Sequence, residues 1–220
     1  MKQLRISFLT IHPSFIESYK TFGVFSAAIK NNIAEIEVVD LRNYAIDKRG
    51  TVDDAPYGGG DGMVLRPEPV VKALEAYNKP YVVYLSPKGE TWHQGLAEEF
   101  SICSSHIVFI CGRFAGLDQR VIDHYVHKEI SLGDFVLSGG ELAALTVADS
   151  ILRLKPYVLG HPDSARFDSF SKAYDRKLEH PLYTRPSSFR GHEVPAVLLS
   201  GDHEKISTWR KANRERKKTL

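Results

Sequence analysis

The chain has 220 residues, 43% of them apolar and 25% charged, with a formal net charge of +2. That composition describes a soluble globular protein of one medium domain, or one domain with a small appendage. It excludes a membrane span, since no apolar run approaches the roughly 18 residues that one needs, and Cys103 and Cys111 are too few for a disulfide framework and lack zinc-ligand spacing. The start, Met1-Lys2-Gln3-Leu4-Arg5, leads straight into a strand-like stretch without the features of a signal peptide, so a reducing, cytoplasmic compartment is expected.

Leu4 to Ile11 reads as a buried strand, after which Pro13 opens a helical turn. A helix is predicted from Phe22 to Asn31 and a second strand from Ile36 to Leu41. Pro67 to Tyr77 and His93 to Phe100 have helical spacing and alternate with the strands Tyr81 to Leu85 and Ile107 to Ile110. Alternation of this kind predicts an α/β fold, a mostly parallel sheet covered by helices on both faces. Ligands then sit at the carboxyl ends of the strands. Gly139-Gly140 opens a longer helical stretch, with Leu142, Leu145, Ala148, Ile151 and Leu152 on its apolar spacing, that ends before Pro156.

After the first domain, residues 1–160, the composition turns polar. A flexible linker is expected over residues 161–173, then a small basic helical domain over 174–220 whose terminal helix contains Trp209. From Lys205 to the end stand Lys205, Arg210, Lys211, Arg214, Arg216, Lys217 and Lys218 against Glu215 alone. Such a run either attracts polyphosphate by counterion release or forms a solvated, frayed helix, and composition does not choose between them.

Three segments place glycine and small polar residues directly after apolar ones: Leu85-Ser86-Pro87-Lys88-Gly89, Cys111-Gly112-Arg113-Phe114-Ala115-Gly116 and Leu132 to Glu141. Glycine admits close backbone approach to a ligand. Singly each reads as a tight turn; together, at neighbouring strand ends, they suit an adenine and ribose held by backbone groups. A fourth segment, Tyr57-Gly58-Gly59-Gly60-Asp61-Gly62-Met63, is the most glycine-dense. It is neither a P-loop nor a dinucleotide fingerprint, and it reads equally as a loop closing on a large substrate or as a plain connection. Asp123-His124 with His127 gives a histidine pair without a third ligand, so no metal site is expected. Asp163, Asp168 and Asp175 look like exposed linker carboxylates, and nothing in the composition selects one of them.

Taken together, the segments resemble the tRNA (guanine-37-N1) methyltransferases of the TrmD type, in the SPOUT superfamily. The resemblance runs from Ser7-Phe8 through Arg210. It rests on ordered matches such as Thr51 to Gly60, Val83 to Pro87, Cys111-Gly112-Arg113, Gly116 to Val121, Gly133 to Leu142, Val158 to His161, Asp168-Ser169-Phe170, His180 to Pro186 and Glu193 to Gly201. It implies a SPOUT-type mostly parallel sheet with a deep trefoil knot and a small helical C-terminal domain. It also implies a homodimer with an active site shared between subunits, acting on the anticodon stem-loop of tRNA with G36-G37. The cofactor implied is S-adenosylmethionine, bound by Leu85, Ser86, Pro87, Gly112, Leu132, Gly133, Asp134, Phe135, Val136, Leu137 and Gly139. Asp168 is the implied base, Arg153 the partner of guanine O6, and Gly58, Gly59, Arg113 and Ser169 the implied RNA contacts.

The family shows magnesium dependence, but the sequence offers no obvious carboxylate cage. Ala115 stands where the family pattern Gly-Arg-Tyr-Glu-Gly carries glutamate, and Ala143 and Asp61 stand where proline is usual. The basic domain is also expected to stop early, with a weaker grip on tRNA. These departures keep one alternative open: a non-catalytic or differently targeted knotted RNA-binding relative.

Overall fold

The computed structural model describes residues 3–103, 105–161 and 164–215. Met1 and Lys2, Asp163, Arg216, Lys217 and Lys218, all noted above, lie outside the described residues. The chain divides into two compact units, Met1–Leu159 and Gly160–Leu220.

In the first unit β1 (Leu4–Thr10) is followed by α1 (Pro13–Tyr19), α2 (Gly23–Lys30) and β2 (Ala34–Asp40). Two short strands, β3 (Asp53–Asp54) and β4 (Val64–Leu65), pair antiparallel ahead of α3 (Pro67–Glu75). Then come β5 (Tyr81–Thr91), α4 (Gln94–Cys103), β6 (His106–Cys111), α5 (Gln119–Tyr125), β7 (Lys128–Ser131) and α6 (Gly140–Leu152). Five strands form one parallel sheet in the order β2-β1-β6-β5-β7.

Successive strand residues point to opposite faces. Ile6, Phe8, Val83, Leu85, Ile107 and Phe109 therefore enter one core with Phe25, Phe100, Ala144 and Ile151 from α2, α4 and α6. Leu9, Val82, Tyr84, Val108 and Ile110 enter the other with Val70, Ala73 and Val121 from α3 and α5. A sheet buried on both faces explains why its strands read as near-continuous apolar runs.

The structure differs from the sequence expectation at three places in this unit. β5 is longer than Tyr81 to Leu85, because residues 86–89 leave the ladder and the chain then returns to it: Leu85 and Glu90 both register against Ile130 of β7. β7 and α5 are too short for periodicity to predict them. The histidine pair is split between two tasks. His127 accepts the Val82 N–H on Nδ1 at 3.1 Å and stacks on Tyr81, whereas His124 is exposed.

The second unit has a 3-10 turn at Lys172–Tyr174, two strands β8 (Ser188–Phe189) and β9 (His192–Glu193), α7 (Ala196–Leu199) and α8 (His203–Ala212). α8 is capped by Asp202, whose side chain accepts the Lys205 N–H at 3.1 Å. The unit thus adds an antiparallel ribbon to the expected helices. The ribbon turns at Arg190-Gly191, with φ of 50° and 82°, the positive pair that a tight two-residue hairpin loop requires.

Residues 164–171, expected as part of a linker, are tied back to the chain that follows. Phe170 N–H donates to Lys177 O at 2.8 Å, Ser171 N–H to Asp168 O at 3.1 Å and Glu179 N–H to Ser169 Oγ at 3.1 Å. Phe167 lies against Tyr174, their ring centroids 6.2 Å apart. A few aromatic anchors and backbone turns suffice to fold a stretch whose composition looks solvated.

Candidate active site

β6, β5 and β7 are neighbours in the sheet, and their carboxyl ends carry the three glycine-containing loops. A cavity of about 310 Å³ lies among these loops, at the lower end of the range for small-molecule sites. Leu85, Ser86, Pro87, Gly112, Leu132, Phe135, Val136, Leu137 and Gly139 line it, as do Arg113, Ala115 and Ala143. Gly133 and Asp134 do not. At Gly133 the chain turns instead, its carbonyl accepting the Ser131 hydroxyl at 3.1 Å and the Phe135 N–H at 2.9 Å.

The wall is made of peptide backbone because glycines let three chain segments touch. Gly140 donates its N–H to Gly112 O at 2.8 Å. A Cβ on Gly140 would stand 2.7 Å from Gly112 N and 2.9 Å from Cys111 Cα, and one on Gly89 would stand 2.4 Å from Ile130 N. Backbone atoms inside a sheet have nowhere to go. Gly140→Ala is therefore expected to cost about 1–3 kcal/mol through overpacking, seen as a lower midpoint of urea unfolding. Gly160→Ala, with nothing within 4 Å of its Cβ, is the matched control and leaves the midpoint in place.

Two acidic side chains shape the electrostatics. Glu141, in the first turn of α6, is buried and accepts the Thr10 hydroxyl at 2.7 Å. It also takes Arg113 Nε and Nη2, each at 2.9 Å from Oε2, and Arg113 Nη1 reaches Ser138 O at 3.3 Å. The guanidinium expected to meet RNA is thus engaged in holding α6 to the end of β6. Beneath it, burial first and the Glu141 charge second push the Cys111 thiol well above its ordinary range. Glu129, the second acid, faces Tyr84 across the β5–β7 ladder. Burial and the Glu129 charge raise the Tyr84 phenol, opposed by a backbone hydrogen bond at Leu117.

The glycine-rich segment emerges at the rim of the cavity. Ala115 N–H donates to Met63 O at 2.7 Å and Leu65 N–H to Gly116 O at 2.9 Å, tying β4 to the loop after β6. Gly58 and Gly59 are exposed with φ of 87° and 78°, and Tyr57 beside them is fully solvent-facing. Arg153 caps the C-terminus of α6, one turn after Asp149. Burial raises the Asp149 carboxyl, and the Arg153 charge acts against that rise. Asp168 and Ser169 belong to the second unit, where Asp168 Oδ1 accepts the Ser169 N–H at 2.9 Å.

Sequence reasoning missed Tyr84, Leu117, Gln119, Ile122 and Glu129 on the cavity wall. Register against β5 places Glu129 there, and a one-strand pattern does not carry register. Among the described residues no three His, Cys, Asp or Glu side chains converge as a metal site.

A family model described as tRNA (Guanine-1)-methyltransferase TrmD matches residues 4–220. A tRNA (guanine-N(1)-)-methyltransferase of Methylacidiphilum infernorum is 49% identical over 218 residues, covering 97% of this chain and 92% of its own. One of Brevibacillus brevis is 46% identical over 210 residues, covering 94% and 85%. The crystal structure of the tRNA (m1G37) methyltransferase from Aquifex aeolicus superposes with a TM-score of 0.78 at 43% identity, over 96% of this chain and 88% of that one.

Proposed function

The chain belongs to the tRNA (guanine-1)-methyltransferase TrmD family, and we propose that it methylates N1 of G37 in tRNA with S-adenosylmethionine as the donor. The observation that carries this reading is the backbone-walled cavity at the carboxyl ends of β5, β6 and β7. Its residues fit the cofactor. A Cβ on Gly140 would strike the backbone of residues 111–112, one on Gly112 the Tyr84 ring and one on Gly139 the Arg113 and Glu141 side chains, and Ser86, Leu132 and Leu137 stand on the cavity walls. S-adenosylmethionine supplies a methyl group on a sulfonium, a leaving group that needs in-line placement rather than activation.

The chain's own work is at guanine. N1 carries a proton at neutral pH, and its lone pair is released only as that proton leaves. Asp168 accepts the proton within hydrogen-bond reach. Negative charge then gathers on O6, where the Arg153 guanidinium stabilises it. The Watson–Crick edge must be unpaired for this, which suits a loop nucleotide.

Gly58 and Gly59 on the rim, Arg113, Ser169 and the basic second unit with Arg210 and Lys211 are read as the RNA-facing groups. The working form is read as a homodimer in which Asp168 of one subunit serves the cavity of its partner. Phe15, Phe22 and Leu142, exposed on and beside the helices of one face of the sheet, support such a covered surface. The chain crosses from the edge strand β7 over the end of β5 to dock Gly140 on β6, which supports the trefoil knot. A cytoplasmic location follows from a tRNA substrate. For magnesium the described residues offer no cage, and no step is routed through it.

The deciding experiment incubates the protein with S-adenosylmethionine and tRNA transcripts carrying G36-G37 and maps the product. Methyl at N1 of G37 is expected. Intact RNA binding with no methyl there would leave the binding-module alternative, with Ala115 as its cause.

A further inference from the structure

One acidic group on the cavity wall has no part in the chemistry above. Tyr84 and Glu129 are register partners on β5 and β7, so their side chains leave the sheet on the same face. There Glu129 lines the cavity together with Leu117 and Ile122. Its Oε1 is buried and lacks a hydrogen-bond donor among the described residues. Lys128 Nζ is engaged with Glu90 and Arg113 with Glu141, and Lys88, also on the wall, makes no bond to Glu129 Oε1. A carboxylate partly withdrawn from water with no donor for one oxygen is costly, and on a cavity wall a ligand that donates to the same carboxylate offsets that cost.

We propose that Glu129 is a cofactor-binding residue whose carboxylate accepts a hydrogen bond from an N–H or O–H of bound S-adenosylmethionine. This rests on the cofactor reading above. The cofactor has two sets of donors, the α-ammonium of its methionine part and the hydroxyl and amine groups of its adenosine part. The sulfonium itself has none. The acceptor is therefore satisfied equally by S-adenosylmethionine and by S-adenosylhomocysteine, the product that has lost the methyl. Its negative charge makes the bond a charge-assisted one, stronger than a neutral pair.

Calorimetric titration of the full chain and its Glu129→Met and Glu129→Gln variants tests this, with S-adenosylmethionine, S-adenosylhomocysteine and 5′-methylthioadenosine as ligands. Met keeps the length and removes the acceptor, so affinity for the first two is expected to fall about 10- to 100-fold. Gln, which keeps a neutral acceptor, falls less. The unliganded Met variant is expected to unfold at the same midpoint or higher, since it loses a buried charge that had no partner.

Methylthioadenosine lacks the amino-acid part. If it too is weakened, the donor lies on adenosine; if it binds as before, the donor is the α-ammonium. Both results support the proposal. Three results overturn it: unchanged affinities in Glu129→Met, a loss for S-adenosylmethionine alone, or a loss accompanied by a lower midpoint of the unliganded protein. A wild-type chain that binds none of the three ligands removes the cofactor reading and this one with it. Wild-type binding with an unaffected variant removes only this one.

Discussion

Asp168→Asn is expected to slow methyl transfer about 10²- to 10⁴-fold, the usual worth of a general base, while the affinity for S-adenosylmethionine stays nearly unchanged. The substitution is a narrow one. Asp168 Oδ1 accepts the Ser169 N–H at 2.9 Å, and the amide oxygen of asparagine can accept the same bond, so the turn at residues 168–171 keeps its shape. What is lost is an oxygen able to take a proton from N1. Single-turnover rates with tRNA and calorimetry with cofactor separate the two quantities. An equal loss of both would remove Asp168 from the base role and leave it a structural one.

The same variant tests where the base comes from. Arg153→Ala is expected to be slow as well, by loss of charge stabilisation at O6. If Asp168 of one subunit meets Arg153 of the other, mixing the two inactive variants creates heterodimers with one complete site, and activity returns. If both groups act within one subunit, no combination is complete and the mixture stays inactive. Unmixed variants at the same concentrations supply the baseline.

Much of the first unit is legible in the sequence, for a physical reason. A parallel sheet buried on both faces needs unbroken apolar strands, and Leu4 to Thr10, Tyr81 to Leu85 and His106 to Cys111 supply them. Glycine directly after such runs marks where backbones converge, so the loop at Gly112 and the loop ending in Gly139-Gly140 stand out from residue order alone. β7 is different. Lys128-Glu129-Ile130-Ser131 has two buried positions and becomes a strand through its pairing with β5, a partner its own sequence does not name.

Tertiary pairing also hides the acids. Glu129 and Glu141 look like ordinary solvated carboxylates, and only the approach of Tyr84 to the first and of Thr10 and Arg113 to the second takes them out of water. Asp168 is the opposite case. Its chemistry is legible from the needs of guanine N1, but only the family resemblance selects it over Asp163 and Asp175. The turns that tie Phe170 to Lys177 and Glu179 to Ser169 leave no mark in a polar composition.

The buried pair at the root of α6 should have the largest effect on stability, and an asymmetric one. Glu141 is about 2% exposed at its side chain and Arg113 about 24%. Arg113→Met leaves a carboxylate with only the Thr10 hydroxyl for company, in a place where water cannot repay the charge. Removing one partner of a buried pair typically costs about 3–5 kcal/mol. Glu141→Gln leaves the cation instead, which can turn toward solvent, while the amide still accepts from Thr10, so a smaller cost of about 1–3 kcal/mol is expected. Arg113→Met with Glu141→Leu removes both charges and should recover part of the larger loss, because an apolar pair of similar volume is seldom worse than half an ion pair. Urea unfolding of the four proteins gives this order directly. Cofactor affinity should follow it, since Arg113 also holds Ser138 O at 3.3 Å, next to the glycines that form the cavity wall. Should Arg113→Met weaken tRNA binding while leaving the unfolding midpoint and the cofactor affinity of the wild type, facing RNA is the whole of the side chain's role and the pairing with Glu141 is incidental.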